Sequence, residues 1–139
     1  MSARPAATRR TVLRGAALTS VAGLGLTACG PTEKGAAPLT GPVELGPEDE
    51  VAKGGAKLYR DHNVVVSRSG DGTLKAYNTV CTHAGCPINK LEGTKLICPC
   101  HGSEFDATTG KVLREPAVAP LKTLAVGVEN GTLVARPQA

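Results

Sequence analysis

The sequence is 139 residues long, room for one domain of ordinary size and too little for two with sound cores. Its formal charge of +4 is local: Arg4, Arg9, Arg10 and Arg14 all precede the first acid, Glu33, and the remaining basic residues equal the 12 acidic ones in number. That balance excludes a basic nucleic-acid surface, and a chain with no Trp, one Phe and two Tyr has no aromatic platforms on which bases stack.

In chain order the first element is an address. Thr8-Arg9-Arg10-Thr11-Val12-Leu13-Arg14 is followed by an uncharged stretch from Gly15 to Ala28, weakened as an apolar run by Gly15, Gly23 and Gly25. Such a stretch is too short for a hydrocarbon core that needs about 20 residues, and a positive segment before a short apolar one reads as a secretory leader. The arginine pair makes it resemble a twin-arginine signal. Leu26-Thr27-Ala28-Cys29-Gly30 resembles a bacterial lipobox, which implies cleavage after residue 28 and a lipid on Cys29. The sequence thus divides into a signal peptide (1–28), a Pro, Gly, Ala and Thr-rich flexible tether (29–42) and a domain (43–139).

The domain reads as all-β: short apolar runs separated by turn signals, no long helical period and no internal repeat. Asn63 to Ser67 and Leu74 to Val80 flank Ser69-Gly70-Asp71-Gly72, and Leu121 to Val128 and Thr132 to Arg136 flank Asn130-Gly131. Both are expected hairpins, because Asp-Gly and Asn-Gly suit tight primed turns. Leu124, Val126 and Val128 alternate and predict one buried face. Glu48-Asp49-Glu50 reads as a solvated turn and His62 as a surface residue at a strand edge, neither with a function.

The chemistry lies in two loops. Cys81-Thr82-His83-Ala84-Gly85-Cys86 and Cys98-Pro99-Cys100-His101-Gly102-Ser103 hold every cysteine other than Cys29 and two of the three histidines. Cys81 and His83 are one residue apart, Cys98 and His101 two, so each pair converges only if the backbone turns sharply, as Gly85, Pro87, Pro99 and Gly102 allow. One reading is a structural Cys2His2 zinc site; another is a [2Fe-2S] cluster with two cysteines on one iron and two histidines on the other; a third pairs all four cysteines in disulfides. Zinc fingers group like ligands on a ββα unit, whereas here they are interleaved on β loops, which favours the cluster.

At these residues the sequence resembles the Rieske iron–sulfur family, whose pattern is C-x-H followed by C-x-x-H, and the resemblance covers about Val43 to Ala139. It implies an antiparallel β sandwich with a small cluster-binding subdomain of two loops. Cys81 and Cys98 would bind one iron, His83 and His101 the other. Cys86 and Cys100 match the disulfide of the bc-complex branch. Arg114-Glu115-Pro116-Ala117-Val118-Ala119-Pro120 stands where the family has a proline loop over the cluster, with Glu115 in place of its usual Gly. Ser103 matches a serine that hydrogen-bonds a bridging sulfide. Phe105 replaces a tyrosine that hydrogen-bonds a ligating sulfur, and Ala84 replaces a larger residue found in quinol-oxidising members.

That ligand set explains the expected function. Two ferric ions, two sulfides and two thiolates sum to zero charge when the histidines are neutral, whereas four thiolates leave a negative cluster, so an electron is added more easily here. With no sign of a substrate pocket or an acid–base pair, the expectation is a one-electron carrier or electron-transfer subunit, not a self-contained enzyme. Its partners would be a redox donor and acceptor, among them a cytochrome b/c complex if it is a subunit of a quinol:cytochrome c reductase, or another extracytoplasmic oxidoreductase. A cluster assembled in the reducing cytoplasm and exported folded, with its disulfide closing outside, fits a twin-arginine route to the outer face of the cytoplasmic membrane, where the lipid on Cys29 would hold it.

Overall fold

The computed structural model describes residues 36–139. The expected signal peptide, Cys29 and the first part of the tether lie outside the described residues. Ten strands run in chain order as β1 (Val43–Pro47), β2 (Gly55–Tyr59), β3 (Val64–Arg68), β4 (Leu74–Asn78), β5 (Lys90–Glu92), β6 (Lys95–Ile97), β7 (Glu104–Asp106), β8 (Val112–Arg114), β9 (Thr123–Glu129) and β10 (Thr132–Pro137). Between them are two one-turn 3-10 helices, Glu48–Glu50 and Arg60–His62. All strand pairs are antiparallel, in a six-stranded sheet ordered β1-β10-β9-β4-β3-β2 and a four-stranded sheet ordered β5-β6-β7-β8. The all-β expectation holds.

β3 shows how the sheets fit together. Val64, Val65 and Val66 are β-branched, suited to a pleated strand, and all three are buried, so this strand is covered on both faces. Val64 and Val66 join Tyr59, Ala76, Leu124, Leu133 and Ala135 in one core, against which Val43 and Leu45 of β1 also pack. The two edge strands therefore meet the same core, and the large sheet must curl around it. Val65 and its cross-strand partner Tyr77 point the other way, into a second core with Ile88, Leu96, Phe105, Leu121, Cys81 and Cys98. This second core cements the small sheet to the large one. Each buried Val, Leu or Phe contributes roughly 1.5–3 kcal/mol.

Both hairpins form where expected, with different turns. Asn130 (φ 51°) and Gly131 (φ 77°) both take positive φ, the two-residue primed turn of an Asn-Gly hairpin. The Asp-Gly turn is not of that kind, since Asp71 keeps a negative φ and only Gly72 (φ 93°) is positive. The Ser69 N–H donates to the Thr73 carbonyl and the Gly72 N–H to that of Ser69, a three-residue loop with a bulge. Asp71 prefers this arrangement because its carboxylate accepts from the Ser69 hydroxyl and the Thr73 N–H.

Other expectations need adjustment. The alternation of β9 buries Leu124, but burial fades along the strand, and Val128 is 41 % exposed where β9 runs past the core. His62 ends the second 3-10 helix, half-buried rather than on a strand edge. Residues 36–42 of the expected tether lie against the domain: the Ala36 N–H donates to the Gly85 carbonyl (3.2 Å), and Leu39 packs on the core of the large sheet. The two expected loops stand beside the four-stranded sheet, whose strands are three residues each: residues 81–86 lie between β4 of the large sheet and β5, and residues 98–103 join β6 to β7. No helix among the described residues is long and apolar enough to cross a membrane.

Candidate metal centre

The two loops are built on one backbone plan. Loop 1 leaves β4 at Cys81, whose N–H donates to the Cys86 carbonyl (2.8 Å) while the Gly85 N–H returns to the Cys81 carbonyl (2.8 Å). Loop 2 leaves β6 at Cys98, whose N–H donates to the Ser103 carbonyl (2.8 Å) while the Gly102 N–H returns to the Cys98 carbonyl (3.1 Å). Each is a six-residue turn with cysteine first and glycine fifth. Those glycines, Gly85 and Gly102, have φ of 77° and 78°, and a Cβ on either would meet nothing within 4 Å, so glycine is required for its backbone and not for space. A bridge between Val80 and Pro87 closes loop 1 further.

This plan buries the first residue of each loop and exposes the next ones. Cys81 and Cys98 are 3 % and 2 % exposed and carry free thiols, while His83 and His101 stand in solvent with ring centroids 4.8 Å apart, edge to face. All four residues expected as ligands are therefore brought to one end of the domain. Burial pushes the Cys98 thiol up, and the hydrogen-bonded Cys81 thiol beside it acts in the same direction. The backbone amides of Cys100 and His101 work against both. Those two amides favour the thiolate form of Cys98. Two apposed thiols unjoined by a disulfide, next to two imidazoles on the solvent side, fit the divided donor set of a two-iron cluster.

Cys86 and Cys100 are joined (S–S 2.07 Å, Cα–Cα 6.5 Å), tying loop 1 to loop 2. This is the pairing that the resemblance implied. The sulfurs of Cys86, Cys98 and Cys100 all lie within 4.8 Å of one another, but with two of them bonded together they do not form a ligand triad.

The segment from Arg114 to Pro120 is pinned over the loops by two bonds that the sequence reading missed. The Ala117 N–H donates to Ser103 Oγ (3.0 Å), both residues being buried, and Thr82 Oγ1 donates to the Ala119 carbonyl (2.7 Å). Ser103 thereby uses an acceptor lone pair on the segment and keeps its hydroxyl hydrogen to donate elsewhere. Phe105 is fully buried in the core that contains Cys81 and Cys98, opposite Leu96 in the register. Ala84 is exposed next to His83, and Val118 is 86 % exposed at the crest of the segment.

The family description "Rieske [2Fe-2S] domain" matches residues 41–125, more than half of the chain. The "Cytochrome b6-f complex iron-sulfur subunit" of Chlorobaculum tepidum is 37 % identical over 95 residues, which are 66 % of this chain and 51 % of that protein. The corresponding cyanelle subunit 2 of Cyanophora paradoxa is 51 % identical over 72 residues, 48 % of this chain and 29 % of that one. The matches thus span about half or less of these relatives. Among solved structures, the plasma membrane Rieske protein of the cyanobacterium Synechocystis PCC 6803 is 39 % identical with a TM-score of 0.53, covering 68 % of this chain and 98 % of that one. The ferredoxin of carbazole 1,9a-dioxygenase from Nocardioides aromaticivorans IC177 is 27 % identical with a TM-score of 0.50, covering 71 % and 100 %. With its all-β fold, its paired loops and these matches, the chain belongs to the Rieske [2Fe-2S] family, whose single cluster is its cofactor.

Proposed function

We propose that this protein is a lipid-anchored one-electron carrier, or electron-transfer subunit, on the outer face of the cytoplasmic membrane, with Cys81 and Cys98 holding one iron and His83 and His101 the other. The observation that carries it is the placement of two buried, unpaired thiols and two exposed, mutually touching imidazoles at one end of the fold. When bound, the cluster supplies a one-electron couple, which in Rieske centres lies at about −150 to +300 mV. The chain's own residues do the rest. Cys81 and Cys98 anchor from the core; the amides of Cys100 and His101 offset thiolate charge at Cys98; the His83 and His101 rings offer a short path for the electron to a docked partner. The Cys86–Cys100 disulfide and the Ala117–Ser103 bond hold the two loops and their cover in place.

Placement outside the membrane rests on the leader at residues 1–28 and on Cys29, whose thiol would carry the lipid. The disulfide supports an oxidising compartment. Family membership sets the cluster reading above Cys2His2 zinc. The decisive measurement is composition: the purified domain should be coloured and hold iron and acid-labile sulfide in equal amounts, and one zinc per chain without sulfide would overturn the assignment.

A second reading, a Rieske subunit of a quinol-oxidising cytochrome complex, is favoured by the names of the curated relatives, which are subunits of cytochrome b6-f complexes. The small Ala84 beside His83 keeps the carrier reading first. Affinity capture of the full-length protein from membranes separates them, since stable co-purification of a cytochrome b supports the subunit.

A further inference from the structure

The free thiol of Cys98 lies within 4.8 Å of both sulfurs of the Cys86–Cys100 disulfide. A thiol and a disulfide held side by side are the two reactants of thiol–disulfide exchange, already gathered by the fold. We infer that Cys98, whenever it is not bound to iron, attacks this disulfide, so that the cluster has to be seated before the disulfide closes or the site locks itself. The inference rests on reading Cys98 as a cluster ligand.

The step balances without an outside oxidant or reductant. Cys98 Sγ gives up its proton and bonds to Cys86 Sγ; the Cys86–Cys100 bond breaks, and Cys100 departs as a thiolate that takes up a proton. Attack falls on Cys86 rather than Cys100 because only Pro99 separates Cys98 from Cys100, and a disulfide across one rigid residue closes a strained ring. Cys81, a free thiol buried in the same core as Cys98, stands next in line. Its attack on Cys98 Sγ would return Cys86 as a thiolate and leave the disulfide on Cys81–Cys98. Either product consumes a sulfur that iron requires. A cluster held by Cys98 would engage this sulfur and block the exchange.

The test uses the full-length holoprotein purified from membranes. Iron is removed under argon with a chelator at mildly alkaline pH, released sulfide is taken away by immediate desalting, and thiols are blocked with N-ethylmaleimide at intervals before disulfides are mapped by mass spectrometry. The Cys86–Cys100 pair should give way to Cys86–Cys98 and then Cys81–Cys98 with no change in total thiols. Reloading with ferrous iron and sulfide should fail until dithiothreitol is added. Persistence of Cys86–Cys100 as the sole pair over a day would overturn the inference, and so would the simultaneous appearance of every pairing, the pattern of an unfolded chain. Cys81→Ala should still reach Cys86–Cys98, whereas Cys98→Ala should keep Cys86–Cys100. If Cys98→Ala accumulates with a full complement of iron and sulfide, the ligand reading itself fails; if it loses the cluster while the stripped parent does not reshuffle, only the exchange fails. The map of the parent protein decides even where a variant does not fold.

Discussion

Replacing Ser103 by Ala removes one oxygen from a place where nothing else can substitute for it. Ser103 is fully buried and accepts from the equally buried Ala117 N–H at 3.0 Å, so the variant strands an amide in the core. An orphaned buried donor costs about 1–3 kcal/mol. For a domain of this size each kcal/mol lowers the melting temperature by roughly 4–8 °C. A fall of at least that size is expected in thermal unfolding followed by circular dichroism. The hydroxyl hydrogen has a second role if, as the family resemblance implies, it is donated to a bridging sulfide. A hydrogen bond to a charged group is worth about 1.5–3 kcal/mol, and only the part that differs between oxidation states reaches the potential. A third of that, about 0.5–1 kcal/mol, is roughly 20–40 mV for one electron, and the midpoint should move down by this amount in voltammetry. Thr82→Val is the control, since it removes the other tie of the same segment from an exposed position; it should cost under about 1 kcal/mol and leave the midpoint unmoved. A Ser103→Ala protein with an intact cluster and an unchanged midpoint would show that the hydroxyl does not face the cluster. An unchanged melting temperature would show that the Ala117 amide does not depend on it.

Replacing Cys86 and Cys100 together by Ser opens a loop with a sequence separation of 14; by loop-closure entropy the loss is about 3 kcal/mol, and the cluster should bleach quickly while the β signal persists in circular dichroism. Phe105→Tyr should raise the midpoint with the fold retained, because a donor would be added to the core that holds Cys81 and Cys98; a lowered or unchanged midpoint with full cluster would place the ring's edge away from the sulfurs. Gly110→Ala should destabilise by roughly 2–5 kcal/mol, since its Cβ would lie 2.6 Å from the Tyr77 ring at φ +72°, whereas Gly102→Ala meets no atom and should cost about 1–2 kcal/mol from its φ alone; chemical denaturation ranks the two. For Asp106, burial works to raise the carboxyl, but the Thr108 amide (2.8 Å), the hydroxyls of Thr108 (2.7 Å) and Thr109 (3.1 Å) and the Thr109 amide together outweigh it and hold it below its ordinary range. A group depressed on folding contributes stability above its unfolded value, about 3.9, and loses it as pH falls through the folded value, so Asp106→Asn should lower stability at neutral pH and flatten the acid limb of the stability curve.

What could be read from the sequence was what local chemistry dictates. The Cys and His spacing pointed to a divided metal site, and Asn130-Gly131 to a primed turn, because each needs only its own few residues. The four strands of the small sheet escaped notice because three residues are too few to show alternation; Lys90–Glu92 and Glu104–Asp106 are strands by virtue of their neighbours in the ladder. The clamps were illegible for a related reason: Ala117 acts through its backbone amide, and Thr82 reaches across 37 positions. The Asp-Gly hairpin was placed correctly with the wrong turn, since a dipeptide preference does not reveal that the Asp71 carboxylate is already engaged by Ser69 and Thr73. Mass spectrometry of the mature N-terminus checks the expected cleavage before Cys29 and its lipid.

The shared plan of the two loops explains why the proposed ligands alternate rather than group by type. In both, the first residue is hydrogen-bonded through its N–H and its carbonyl to the far end of the same turn, which fixes a cysteine with its sulfur in the core. A glycine fifth in the turn bends the chain back and exposes the residues between. Histidine takes the third position in loop 1 and the fourth in loop 2, while the disulfide cysteine takes the sixth position in loop 1 and the third in loop 2. If both loops carried the same order, two like side chains would compete for one place at the junction; the offset lets the imidazoles meet edge-on and leaves Cys86 and Cys100 facing each other at bonding distance. Buried sulfur and exposed nitrogen are therefore consequences of a single turn used twice. If the four residues hold a two-iron cluster as proposed, the division between a sulfur-held and a nitrogen-held iron would follow from where each residue sits along that turn.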